Sequence, residues 1–118
     1  PHTGPFNDLH DPAALDLGRN LNHELGEDAP LRYRLRRAES VRPEAAWRAL
    51  AARYAGLVHQ VDLSVGAILA RLAERGLADS TIVVFTSDHG EMMGAHGLYN
   101  KAVMYEEAAR VPWLMRVP

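Results

Sequence analysis

Cysteine is absent from the 118 residues of this chain. That excludes a disulfide framework, a thiolate zinc site and a thiol nucleophile, since each needs a cysteine sulfur. It does not fix a compartment. Charge of one sign is lacking too: 13 Lys and Arg stand against 15 Asp and Glu, for a formal net charge of −2. Such a balance gives no electrostatic ground for nucleic acid or a membrane surface as partner. No apolar run is long enough to span a bilayer, and no basic-then-apolar opening marks a signal peptide. What remains, 47% hydrophobic and 24% charged residues, is ordinary for a globular domain with one modest core.

The pattern along the chain reads as α/β. Residues 1–30, rich in Pro, Gly, Asn, Asp and His, predict a loop with a short helical turn after Pro12. Alternation of Leu31, Tyr33 and Leu35 with Arg32, Arg34 and Arg36 predicts an edge strand over 31–36, and the arginines Arg32, Arg34, Arg36 and Arg37 read as a solvated basic strip. Over 43–75 apolar residues recur in steps of three and four, from Trp47 and Leu50 through Tyr54, Val58, Val61 and Val65 to Leu69 and Leu72. That predicts one long amphipathic helix. Pro43 and Glu44 suit its start and Arg71, Arg75 and Gly76 its end. Gly66 offers a bend or a close approach. Thr81 to Ser87 predicts a strand apolar on both faces, as in the middle of a parallel sheet. Residues 88–101 predict a loop, 103–109 a short helix and 111–117 a second strand. The organisation expected is a loop-rich segment, 1–42, followed by helix, strand, loop, helix and strand over 43–118. A parallel strand buried on both faces needs more cover than these elements supply. The chain is therefore expected to be a piece of a larger domain that self-associates through exposed apolar surface when alone.

Chemistry concentrates at one place. In open α/β sheets, ligands bind beyond the carboxyl ends of strands, and Asp88-His89 stands at such an end with Gly90 behind it. A hard oxygen and a borderline nitrogen donor side by side suit a divalent cation, although two ligands complete no site. The bland alternative is a turn-capping Asp88 and a merely polar His89. Lys101 follows within fourteen positions, and an ammonium there can neutralise a phosphoryl or sulfuryl oxygen. Most lone lysines are simply exposed, but the basic residues here are nearly all Arg. His96, in Gly94-Ala95-His96-Gly97, either donates to a substrate oxygen or holds the loop, and the second is the simpler role. Glu91 reads as a base, a partner to the ligands or, more simply, a solvated carboxylate.

The run Thr81-Ile82-Val83-Val84-Phe85-Thr86-Ser87-Asp88-His89-Gly90-Glu91, with Gly94, His96-Gly97 and Lys101 after it, resembles the sulfatase family of the alkaline-phosphatase superfamily. So do Met104-Tyr105-Glu106-Glu107 and Arg110-Val111-Pro112. Pro1-His2 with Pro5-Phe6 is similar to a second, shorter family segment, whereas residues 7–45 carry no signature. The resemblance implies a three-layer α/β/α domain with a mostly parallel sheet. It implies Asp88 and His89 as metal ligands, with Ca²⁺ the expected ion and Mg²⁺ or Mn²⁺ in some relatives. Lys101 and His2 match residues that contact the sulfate and act in catalysis, and His96 joins them as a substrate contact. The implied reaction is hydrolysis of a sulfate ester on a sulfated small molecule or glycan, with formylglycine as nucleophile. The Cys/Ser-x-Pro-x-Arg motif that supplies formylglycine does not occur in these residues, so that group is expected upstream. Ala95 replaces a frequent Asp, and the Pro-His segment has an extra residue before Pro5. Phosphonate or phosphodiester hydrolysis within the same superfamily is one alternative. A non-catalytic metal-binding module is another, and a homo-oligomer is compatible with all three.

Overall fold

The computed structural model describes residues 5–118. Its elements, in order, are a 3-10 turn at Pro12–Ala14, α1 (Leu31–Ser40), α2 (Glu44–Glu74), a second 3-10 turn at Ala78–Ser80, β1 (Val83–Thr86), α3 (Glu106–Ala109) and β2 (Trp113–Arg116). No helix among the described residues is long and apolar enough to cross a membrane.

α2 forms where the helical apolar periodicity placed it. Pro43 caps it with an extended ψ of 149° and Glu44 sits in its first turn. It ends in a left-handed stop at Gly76, φ 66°. There Gly76 N donates to Ala73 O at 2.9 Å and Leu77 N to Leu72 O at 2.9 Å, the paired bonds of a Schellman motif. Only Trp47, Ala52 and Gly56 of its 31 residues are buried. Gly56 lets the N-terminal segment cross the helix, since a Cβ there would collide with the Phe6 carbonyl; at Gly66 a Cβ would meet nothing within 4 Å.

Residues 31–40 correct the reading of an edge strand: they form α1. The alternation misled because only Tyr33 of its apolar members is buried, while Leu31 and Leu35 are exposed. The inward face is completed at i+3 and i+4 by Arg36 and Arg37, whose guanidinium groups donate to backbone carbonyls of the 96–102 loop and of Asn22. A helical face built from arginines has no apolar period to read.

β1 and β2 pair antiparallel, Val83 opposite Arg116 and Thr86 opposite Trp113. Between them the chain carries one four-residue helix, α3. The connection folds as a loop rather than as a crossover helix, and β2 returns antiparallel to β1. Both strands lie largely open, with Val84, Phe85, Trp113, Leu114 and Met115 exposed. The core lies instead around the loop between the strands: Tyr33, Met92, Ala95, Leu98, Val103 and Ala108 pack together, with Leu25 and Tyr105 against them.

Candidate functional site

β1 leads into Ser87, Asp88 and His89, whose local hydrogen bonds fix two side chains. Ser87 Oγ donates to the His89 carbonyl at 2.8 Å, and His89 N donates to Asp88 Oδ1 at 3.1 Å. His89 Nδ1 lies 2.8 Å from the Gly90 carbonyl. A carbonyl can only accept, so Nδ1 carries the hydrogen and Nε2 of the neutral ring keeps its lone pair. That Nε2 is 3.3 Å from Asp88 Oδ2. Two lone-pair donors thus face each other, an arrangement satisfied by a proton or a cation between them. A separation of 3.3 Å also suits neighbouring ligands on one cation with bonds of about 2.3 Å. Asp88 is 83% exposed and His89 37%, so the pair is accessible. Asp88 and His89 therefore fit a divalent cation as part of its ligand set. Among the described residues, no group of three or more His, Asp or Glu side chains could hold one.

Gly90 anchors this corner against α3. Its N–H donates to Ala108 O at 2.9 Å, and a Cβ would collide with the Glu107 carbonyl oxygen. Glu91 is not merely solvated: Oε1 accepts from Asn100 N at 2.5 Å and from Met93 N at 3.4 Å. Together with Met92 N to Asn100 O at 3.0 Å, this closes residues 91–100 into a compact loop. The loop's buried backbone is satisfied internally, by Gly94 N to Leu98 O, Ala95 N to Met92 O and Leu98 N to Ala95 O. Of the five non-glycine residues with positive φ among the described residues, Met93, His96 and Asn100 lie in this loop and Ala102 just after it. Such backbone persists only where the surroundings over-determine it.

The sequence-predicted residues fall as follows. Asp88 and His89 stand together, and Lys101 is exposed, joined to them through Glu91 and Asn100. His96 ties the loop to the rest of the chain. Its N donates to Asn20 O at 2.9 Å, its carbonyl accepts from Arg37 Nε at 3.1 Å, and its ring stacks on Tyr105 at 4.3 Å. His96 Nδ1 is enclosed without a hydrogen-bond partner. His2 lies outside the described residues. Sequence reasoning missed the cradle formed by residues 20–47. Asn20 Nδ2 donates to Glu107, Leu21 bridges Ala95, and Asn22 N donates to Gly94 O. Trp47 Nε1 reaches Asn22 Oδ1 at 3.0 Å. The clue was Trp47 itself: a buried indole needs an acceptor for its N–H.

A family model described as Sulfatase matches residues 8–118. The chain belongs to the sulfatase family. Among curated sulfatase relatives, an arylsulfatase of Clostridium perfringens is 41% identical over 78 residues, which are 66% of this chain and 16% of that protein. A phosphonate monoester hydrolase of Silicibacter pomeroyi superposes on 97% of this chain and 25% of its own, with a TM-score of 0.80 and 30% identity. A third structure, solved in complex with its substrate D-glucosamine-2-N,6-O-disulfate, covers 74% of this chain and 18% of its own, at TM-score 0.60 and 34% identity. The α/β fold is that of the alkaline-phosphatase-like sulfatases, and this chain spans a quarter or less of the relatives it matches.

Proposed function

We propose that this chain carries the cation-binding strand end and the lysine loop of an enzyme that hydrolyses sulfate esters. The observation that carries this reading is His89 Nε2 set 3.3 Å from Asp88 Oδ2, at the end of a strand within the matched family segment. Asp88 and His89 would hold a divalent cation, with Ca²⁺ the expected ion and Mg²⁺ or Mn²⁺ the alternatives. When bound, such a cation stabilises charge on the nucleophile and on the sulfuryl oxygens. The Gly90 carbonyl keeps His89 in the tautomer that leaves Nε2 available. Lys101 brings an ammonium to the transferred group and the departing oxygen, and His2 shares that contact. The nucleophile is a formylglycine contributed from outside these 118 residues, and this chain alone is expected to show no turnover. A sulfated small molecule or glycan is the substrate class, supported by the amino-sugar disulfate named as substrate of one structural neighbour.

A second reading, hydrolysis of phosphonate monoesters or phosphodiesters, is favoured by the neighbour with TM-score 0.80. The same cation and lysine serve a phosphorus centre as well. Steady-state kcat/KM of the intact enzyme on an aryl sulfate, an aryl phosphonate monoester and a phosphodiester separates the two. Preference for the sulfate supports the first reading, and preference for the phosphonate or phosphodiester supports the second. Hydrolysis of none would leave a metal-binding module without chemistry. On the preferred substrate, Lys101→Ala is expected to lower kcat/KM by ~10²-fold.

A further inference from the structure

The turn that presents Lys101 is strained on both sides. Asn100 and Ala102 both have φ of 71°. For an alanine, which has no polar side chain to offset the cost, the left-handed region is unfavourable. Two side chains distant in sequence hold it there. Glu91 Oε1 accepts the Asn100 amide at 2.5 Å. From α1, Arg36 donates through one guanidinium nitrogen to Tyr99 O at 3.2 Å and through the other to Ala102 O at 3.3 Å. The fork of the guanidinium thus spans the carbonyls on either side of Asn100-Lys101. α1 is itself fixed to the loop, by Tyr33 in the core and by Arg37 on the His96 and Asn22 carbonyls. Among the described residues, Lys101 forms none of the ion pairs.

We propose that Arg36 and Glu91 are positioning residues for Lys101. The guanidinium clamps the carbonyl side of the turn, the carboxylate clamps its amide side, and together they restrict where the lysine stem leaves the loop. The assignment rests on the reading that Lys101 contacts the group transferred from the ester.

The test uses the intact enzyme with an aryl sulfate and five single variants: Arg36→Ala, Arg36→Lys, Glu91→Ala, Glu91→Gln and Lys101→Ala. Arg36→Ala and Glu91→Ala are each combined with Lys101→Ala, and exposed Arg34→Ala is the control. Bound cation and amide exchange over residues 92–103 are read alongside kcat and KM. Arg36→Ala and Glu91→Ala should each lower kcat by about tenfold or more, with cation content unchanged and faster exchange over 92–103. Glu91→Gln keeps a carbonyl acceptor and should recover most of the loss. Arg36→Lys, with one compact ammonium in place of the fork, should not. In the Lys101→Ala background neither further substitution should lower kcat again. Full losses persisting in that background, or unchanged exchange over 92–103, would overturn the proposal. Wild-type kcat for Lys101→Ala alone would instead sink the functional reading of the lysine. The exchange data by themselves would then decide whether the two residues hold the turn.

Discussion

Tyr33 shows how single side chains fix the site. It is 6% exposed, and its hydroxyl accepts from Met104 N at 3.1 Å. Tyr33→Phe keeps the ring and strands that amide, so unfolding stability should fall by ~1–2 kcal/mol in a urea titration. An unchanged midpoint would mean that water takes over the contact. Gly90 acts by absence of a side chain. A methyl there meets the Glu107 carbonyl, so Gly90→Ala should separate α3 from the Asp88-His89 corner and lower the affinity for the proposed cation with Asp88 and His89 themselves unchanged. Retained affinity, measured by calcium titration of the intact enzyme, would contradict this. At this scale the proposed ligand pair stands out in the sequence because Asp88 and His89 are adjacent and follow an apolar strand. The residues around them were not. Arg36 reaches the Lys101 turn across 63 and 66 positions, and Asn20 reaches Glu107 across 87. Contacts of that separation leave no mark in local spacing.

Among the elements, α2 was readable because its apolar stripe and its Gly76 stop are local properties, and the strands at 83–86 and 113–116 lie inside the runs that predicted them. α1 was not readable, because its inward face is arginine serving backbone carbonyls rather than apolar residues serving a core. The pairing direction of β1 and β2 also escaped the sequence, since it depends on how the loop between them folds. The two glycines of α2 give a sharp comparison. Gly66→Ala adds a methyl to open space, and helix propensity alone should raise stability by ~0.5–1 kcal/mol. Gly56→Ala carries the same propensity gain but drives a methyl into the Phe6 carbonyl. Thermal unfolding should place the Gly56→Ala midpoint below wild type and the Gly66→Ala midpoint above it. Equal midpoints would show that the N-terminal segment moves aside at no cost.

As a whole molecule, the chain is extended and open. Its radius of gyration is 17.7 Å over 118 residues, against roughly 13–14 Å for a compact domain of that length. Its accessible surface is 8613 Å², where a folded monomer of its mass presents about 6,400 Å². Apolar residues exposed along α2 and the two strands contribute to it. A cleft of about 470 Å³ there is lined by Val58, Val61, Val65, Val83, Phe85 and Leu114 among others. Surface of this kind associates, so the isolated chain should appear as oligomers in light scattering, and a monodisperse monomer would contradict that. The buried cluster gathers at the loop between Asp88-His89 and Lys101, with Tyr33 of α1 and Ala108 of α3 packed into it, as expected if rigidity is invested where charge must be placed. The most direct test of that account is the cation content and sulfate-ester turnover of the intact enzyme with Asp88→Ala and His89→Ala combined. The account predicts that both are lost while the protein stays folded. Unchanged cation content with full turnover would contradict it.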